Sequence, residues 1–177
     1  MATRGTSKAP SSPHGTQAWL AVVRAYNLCD AVMSARLAAL GLRVAEHEVL
    51  ANLATEPGMT QQDLAARCFV AKSGVSMLLT QMEGKRWVER DADANDARVK
   101  RLFLTAAGRA LAAKTLKIQF EVVGAMADGA TDAELATVAE VMQRVSARLE
   151  ALRGAVGTAA ASAPRAGRAA SPVRRAL

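Results

Sequence analysis

The chain has 177 residues, 51% of them hydrophobic and 22% charged, with a formal net charge of +7; this suits one ordinary globular domain with some tail. No apolar run approaches the roughly 18 residues that span a bilayer, and residues 1–17 lack the apolar stretch of a secretory signal, so a cytoplasmic protein with no membrane partner is expected. Cys29 and Cys68 lie far apart, only His14 and His47 accompany them, and no phosphate-cradling glycine loop or nucleophile elbow is present, so no enzyme activity, cofactor or metal is expected.

Residues 1–15 are rich in Ser, Thr, Pro and Gly and hold too little large apolar surface to offset the entropy of ordering, so a disordered N-terminal tail is expected. From Thr16, a good N-cap, Trp19, Val22, Val23, Tyr26, Cys29, Met33, Leu37 and Leu40 form one apolar stripe of a long helix that ends at Gly41. A shorter helix follows over about 45–55, with His47, Leu50 and Leu53 on one side and Glu46 and Glu48 turned elsewhere, stopped by Pro57-Gly58.

Thr60 with Asp63 makes a capping box for a short helix whose Leu64, Ala65 and Cys68 turn inward. The next helix, about 71–85, buries Val75, Leu78, Leu79 and Met82 and exposes Lys72, Ser73, Ser76, Thr80 and Gln81. Two short helices joined by a tight turn are a helix-turn-helix pattern. The period then changes: 87–90 and 99–104 read as strands joined by the polar segment 91–98, and a hairpin directly after such a pair of helices is a wing. Thr105 caps a long helix over about 106–127.

The last helix opens on a capping box, Thr131 with Glu134, and repeats Leu135, Val138, Met142, Val145, Leu149 and Leu152 in a heptad-like seam. The fold class expected is mainly α with a small β-hairpin wing: a winged helix-turn-helix, with its DNA-binding lobe over about 45–105 and long dimerisation helices over about 16–41 and 106–152. Residues 153–177, rich in Ala, Gly, Pro, Ser and Arg, are expected to be a disordered basic tail.

Charge is unevenly spread along the chain. The stretches 1–16 and 153–177 contain Arg4, Lys8, Arg153, Arg165, Arg168, Arg174 and Arg175 and no acid, whereas 67–117 holds 11 basic and 5 acidic residues and 118–152 holds 2 and 6. A basic block on a chain that is otherwise balanced points to a localised polyanion site. The flexible arginines of the C-terminal tail are expected to raise affinity for any DNA without choosing a sequence.

The segment LAARCFVAKSGVSMLLTQMEGKRWVER, residues 64–90, resembles the MarR-family helix-turn-helix, and the flanking LGLRVAEHEVLANLATEPGMTQQDLAARC and DARVKRLFLTAAGRAL continue the likeness over about 17–152. Asp96-x-Arg98, then Leu104-Thr105-x-x-Gly108, is similar to that family's wing signature. The resemblance implies a homodimeric regulator, a repressor that binds a pseudo-palindromic operator in double-stranded DNA and is released by a small molecule. It makes 71–85 the major-groove helix. Three departures stand out. Arg86 occupies the place where the family often closes this helix with glycine, with Gly84 two residues earlier, which implies a locally different turn. Met77 replaces a polar or basic residue, so base reading there is apolar, for example against a thymine methyl. Ala71 replaces a hydroxyl N-cap, a change that weakens the start of a helix by about 1 kcal/mol.

The candidate DNA-binding residues are Lys72 and Ser73 for phosphates, Gly74, Ser76, Met77, Thr80 and Gln81 for the groove, and Asp96, Arg98 and Lys100 in the wing, followed by Arg101, Arg109 and Lys85. Arg98 is placed to enter a minor groove with Asp96 aiming its guanidinium. His47 and Cys68 are read as core packing. Two other functions compete with the repressor: a redox-sensing regulator that uses Cys29, since an oxidant-sensing branch of the family has a first-helix cysteine, and an architectural DNA-coating protein.

Overall fold

The structure, a computed structural model, describes residues 13–68, 72–93, 96 and 98–162, with only the backbone described for Lys72, Ser73 and 156–162. Its elements run α1 (Pro13–Ala38), α2 (Val44–Thr55), β1 (Met59–Thr60), α3 (Gln61–Arg67), α4 (Lys72–Gly84), β2 (Val88–Ala92), β3 (Lys100–Leu104), α5 (Ala106–Ala127) and α6 (Asp132–Ser162). They divide into two units, residues 1–126 and 127–177.

In the first unit the three strands form an antiparallel sheet in the order β1-β3-β2. Met59 pairs with Leu102 and Thr60 with Arg101, while Val88 to Ala92 pair with Leu104 to Lys100. The two-residue β1 was not expected from sequence, because Met59-Thr60 is too short to show an alternating pattern. The core is the meeting of apolar faces, most of them read from the sequence: Leu37 from α1, Leu50 and Leu53 from α2, Leu64 from α3, and Val75, Leu79 and Met82 from α4 are buried, joined by Val49 of α2 and by Leu102 and Leu104 of β3. These side chains fix α4 against the sheet and leave its opposite face outward.

Three expectations are corrected. α1 starts at Pro13, before Thr16, because proline suits the first turn of a helix, where its missing N–H is no loss. α6 runs through 153–162, beyond the expected end at 152, since the Ala-rich stretch supplies strong helix formers; residues 1–12 and 163–177 of the two expected tails lie outside the described residues. Glu46, expected to face away from the core, is only 1% exposed.

The burial of Glu46 is made possible by its partners. Its Oε2 accepts the Arg43 backbone N–H at 2.9 Å, and its Oε1 accepts Lys85 Nζ at 2.8 Å and Arg43 Nη2 at 3.4 Å. A carboxylate supplied with donors in this way stays charged inside a protein. Burial pushes its pKa up, and the Lys85 and Arg43 donors outweigh burial to hold it below the usual carboxylate value.

Only Met33 and Leu37 of the α1 stripe are buried, while Trp19, Val22, Val23, Tyr26 and Leu40 are exposed and Cys29 is half-buried. The second unit is built on α6. Its start is capped as expected: Thr131 Oγ1 accepts the Glu134 N–H at 3.3 Å, and Glu134 Oε2 accepts the Thr131 N–H at 2.8 Å. Leu135, Val138, Val145, Leu149 and Leu152 of its seam are exposed. Among the described residues, no helix is long and apolar enough to cross a membrane.

Candidate nucleic-acid interface

The helix-turn-helix is set by two local devices. Thr60 caps α3, with its Oγ1 accepting the Asp63 N–H at 3.1 Å and donating to Asp63 Oδ2 at 2.7 Å. That hydrogen bond, ahead of the opposing effect of desolvation, lowers the Asp63 pKa. At the far end of α4, the Arg86 N–H donates to Glu83 O at 2.8 Å and the Trp87 N–H to Met82 O at 2.9 Å, which is the pairing of a Schellman turn.

Such a turn needs a left-handed residue, and Arg86 supplies it with φ 57°. The left-handed residue of the turn is therefore Arg86 itself, two residues after Gly84 ends α4. An L-residue carries a cost of about 1–2 kcal/mol in that conformation, and packing of Trp87 and the following strand holds it there.

α4 presents Ser76, Met77, Thr80 and Gln81 outward, with Gly74 half-buried. Met77 is 65% exposed, on the side of the helix opposite Val75 and Leu79. Thr80 Oγ1 donates to Ser76 O at 3.1 Å, and Gln81 Oε1 accepts Arg43 Nη2 at 3.0 Å. Arg43 was not among the sequence candidates: it lies at the start of α2, far from Gln81 in the chain, and no local pattern links the two. The side chains of Lys72 and Ser73, and the whole of Ala71, lie outside the described residues.

In the wing, Asp96 Oδ1 accepts two bonds from Arg98, the backbone N–H at 3.0 Å and Nε at 3.1 Å. The Arg98 side chain remains 92% exposed. Asp93, which the sequence reading passed over, fastens the hairpin from inside: its Oδ2 accepts Arg101 Nε at 2.6 Å and its Oδ1 accepts the Asp96 N–H at 3.2 Å. Arg101 also donates to Gly58 O at 3.1 Å. Lys100 is exposed.

The three secondary candidates are engaged within the protein. Arg101 is held by Asp93, Arg109 donates to Leu104 O at 2.6 Å, and Lys85 binds Glu46 with its Nζ 4.4 Å from the centre of the Trp87 ring. A cation committed to internal partners is a weaker source of phosphate contacts than an outward one.

The base of the wing is held by Thr105 and Gly108. Thr105 N–H donates to Trp87 O at 3.1 Å, its Oγ1 donates to Arg86 O at 2.6 Å, and the same oxygen accepts the Gly108 N–H at 3.1 Å. A Cβ on Gly108 would stand 2.0 Å from Trp87 O. The Leu-Thr-x-x-Gly half of the signature is therefore a packing device.

Elsewhere, a cavity of about 440 Å³ between α1 and α5 is lined by Leu28, Cys29, Val32, Val122 and Met126, with the Arg36–Glu121 ion pair among its lining residues. His47 is 5% exposed and bonds Gln119 Oε1 at 2.9 Å through Nε2, while its Nδ1 has no hydrogen-bond partner. Burial lowers its pKa, with Gln119 opposing, in keeping with a neutral packed ring. Burial, with a smaller contribution from Glu48, pushes the Cys68 thiol up to about 11, so it stays a thiol. Among the described residues no cluster of His, Cys, Asp and Glu is able to hold a metal ion.

Residues 40–99 match the model of the MarR family. Curated relatives include uncharacterized HTH-type transcriptional regulators of Bacillus cereus (strain ATCC 14579) and Bacillus anthracis, each 29% identical over 105 residues, which is 59% of this chain and 69% of the relative. Among solved structures, a MarR-family transcriptional regulator from Silicibacter pomeroyi is 25% identical with a TM-score of 0.66, covering 74% of this chain and 88% of its own.

The regulator BldR from Sulfolobus solfataricus, at 21% identity and TM-score 0.66 over 79% of this chain and 99% of its own, shares the fold. So does a mutant MarR from E. coli complexed with operator DNA, at 20% identity and TM-score 0.65 over 77% and 98%. The matched relatives are transcriptional regulators rather than enzymes, which is the class the sequence pointed to. In this chain Arg86 takes the left-handed conformation that closes α4, and Met77 is an exposed apolar group on its outward face.

Proposed function

We propose that this chain is a homodimeric transcriptional repressor that binds a pseudo-palindromic operator, with α4 in the major groove and Arg98 of the wing in the adjacent minor groove. The observation that carries this reading is Arg98, whose side chain is almost wholly exposed while its Nε and its backbone N–H both donate to Asp96 Oδ1. A planar, permanently charged group aimed from a hairpin tip suits the enhanced negative potential of a narrow minor groove. Support also comes from the likeness to the MarR–operator complex, which is a DNA-bound example of the same fold.

Dimerisation is supported by the exposed large apolar side chains along α1 and α6, among them Trp19, Tyr26, Leu149 and Leu152, which a second copy would cover. The cavity between α1 and α5 is the candidate seat for a small apolar effector that releases the DNA. Its partly accessible Cys29 keeps an oxidant as the second reading of the release signal.

Selection of bound duplexes from a random pool, followed by footprinting with the full chain, tests the reading. A short protected palindrome is the expected result. Uniform coverage would make this an architectural protein instead.

A further inference from the structure

Among the described side chains, the outward face of α4 lacks the bidentate groups that read guanine or adenine. Guanine is most often recognised by a bidentate Arg or Lys and adenine by a bidentate Asn or Gln. Among the described side chains of α4 that face outward, Ser76, Met77, Thr80 and Gln81, none is charged. Gln81, the one amide, has its Oε1 bonded by Arg43 Nη2 at 3.0 Å, so it does not offer both of its ends to an adenine. Thr80 gives its hydroxyl proton to Ser76 O at 3.1 Å, so what it has left for a base is an accepting oxygen and its γ-methyl.

Met77 stands one turn before Thr80 on the same side, with 65% of its surface exposed and no role in the core. A long, unbranched apolar side chain beside a methyl group is a contact surface for another apolar group. The apolar feature of a major groove is the C5-methyl of thymine.

We infer that Met77, with Thr80 beside it, is a specificity-determining pair that selects thymine through its C5-methyl at one position of each operator half-site. The inference rests on the DNA reading above and adds to it the base that is chosen and the atom by which it is chosen. Recognition of this kind is indifferent to the hydrogen-bonding edge of the base. It therefore predicts that a base differing only in the methyl group is treated differently.

The test uses the duplex recovered from the random pool, with each thymine replaced in turn by deoxyuridine, which removes the methyl and leaves pairing intact. The wild-type chain is expected to lose about fourfold in affinity at one thymine per half-site, the value that follows from one buried methyl. Met77→Ala is expected to bind more weakly and to show no difference between thymine and deoxyuridine there, whereas Met77→Leu keeps the difference. Because Met77 is exposed, neither variant disturbs the core. A wild-type chain indifferent to every replacement, or a Met77→Ala chain with the same loss as the wild type, overturns the inference while leaving the DNA reading standing. Failure to retain any duplex overturns the DNA reading, and the inference with it.

Discussion

At its base the β2–β3 hairpin is closed by contact: Trp87 O sits where a side chain on residue 108 would have to be, and Thr105 bonds Arg86, Trp87 and Gly108 at once. At its tip, Asp96 holds Arg98 by two hydrogen bonds and almost nothing covers the guanidinium. The two halves of one sequence signature thus divide the labour. One half joins the turn that closes α4 to the base of the wing, and the other holds a charge out in solvent at its tip. A charge is aimed only as well as its support is fixed.

Gly108→Ala breaks the closed half. The new methyl would meet a backbone carbonyl that is itself a hydrogen-bond acceptor, so the base must open at a cost of about 3 kcal/mol or more. Thermal unfolding is expected to show a large drop in Tm, with DNA affinity lost alongside it; an unchanged Tm would show that the junction yields easily.

Arg86→Gly acts on the same junction with the smallest effect and the opposite sign. It relieves an L-residue of a left-handed conformation at the expense of some chain entropy, for a net gain of about 0.5–1 kcal/mol and a rise of about 1–4 °C in Tm. A fall in Tm would mean that the Arg86 side chain makes contacts worth more than the strain.

Much of the winged helix was legible in the sequence, because its apolar periods and capping boxes are local signals. Val75, Leu78, Leu79 and Met82 are buried as their spacing requires, and Thr60 with Asp63 and Thr131 with Glu134 cap the helices they precede. The pairing of Asp96 with Arg98 was legible for the same reason, the two being neighbours in the chain. What escaped depends on contacts distant in sequence. Glu46 looked exposed because its partner Lys85 lies on another element, and Arg43 and Asp93 could be placed only once α2 met α4 and the hairpin register was known. Gly108 was visible as part of a pattern, but the carbonyl that requires it was not.

The tip of the wing is where the proposed function is most exposed to test. Arg98→Ala and Asp96→Ala are to be compared with the wild type for operator affinity and for Tm. Removing the guanidinium is expected to cost about 1–3 kcal/mol of binding per half-site with Tm nearly unchanged, since the side chain is 92% exposed and its one ion pair lies at the surface; removing Asp96 is expected to cost less, because the charge stays and only its aim is lost. If Arg98→Ala binds the operator as tightly as the wild type, the pair is an ordinary surface ion pair and the wing has no part in DNA recognition.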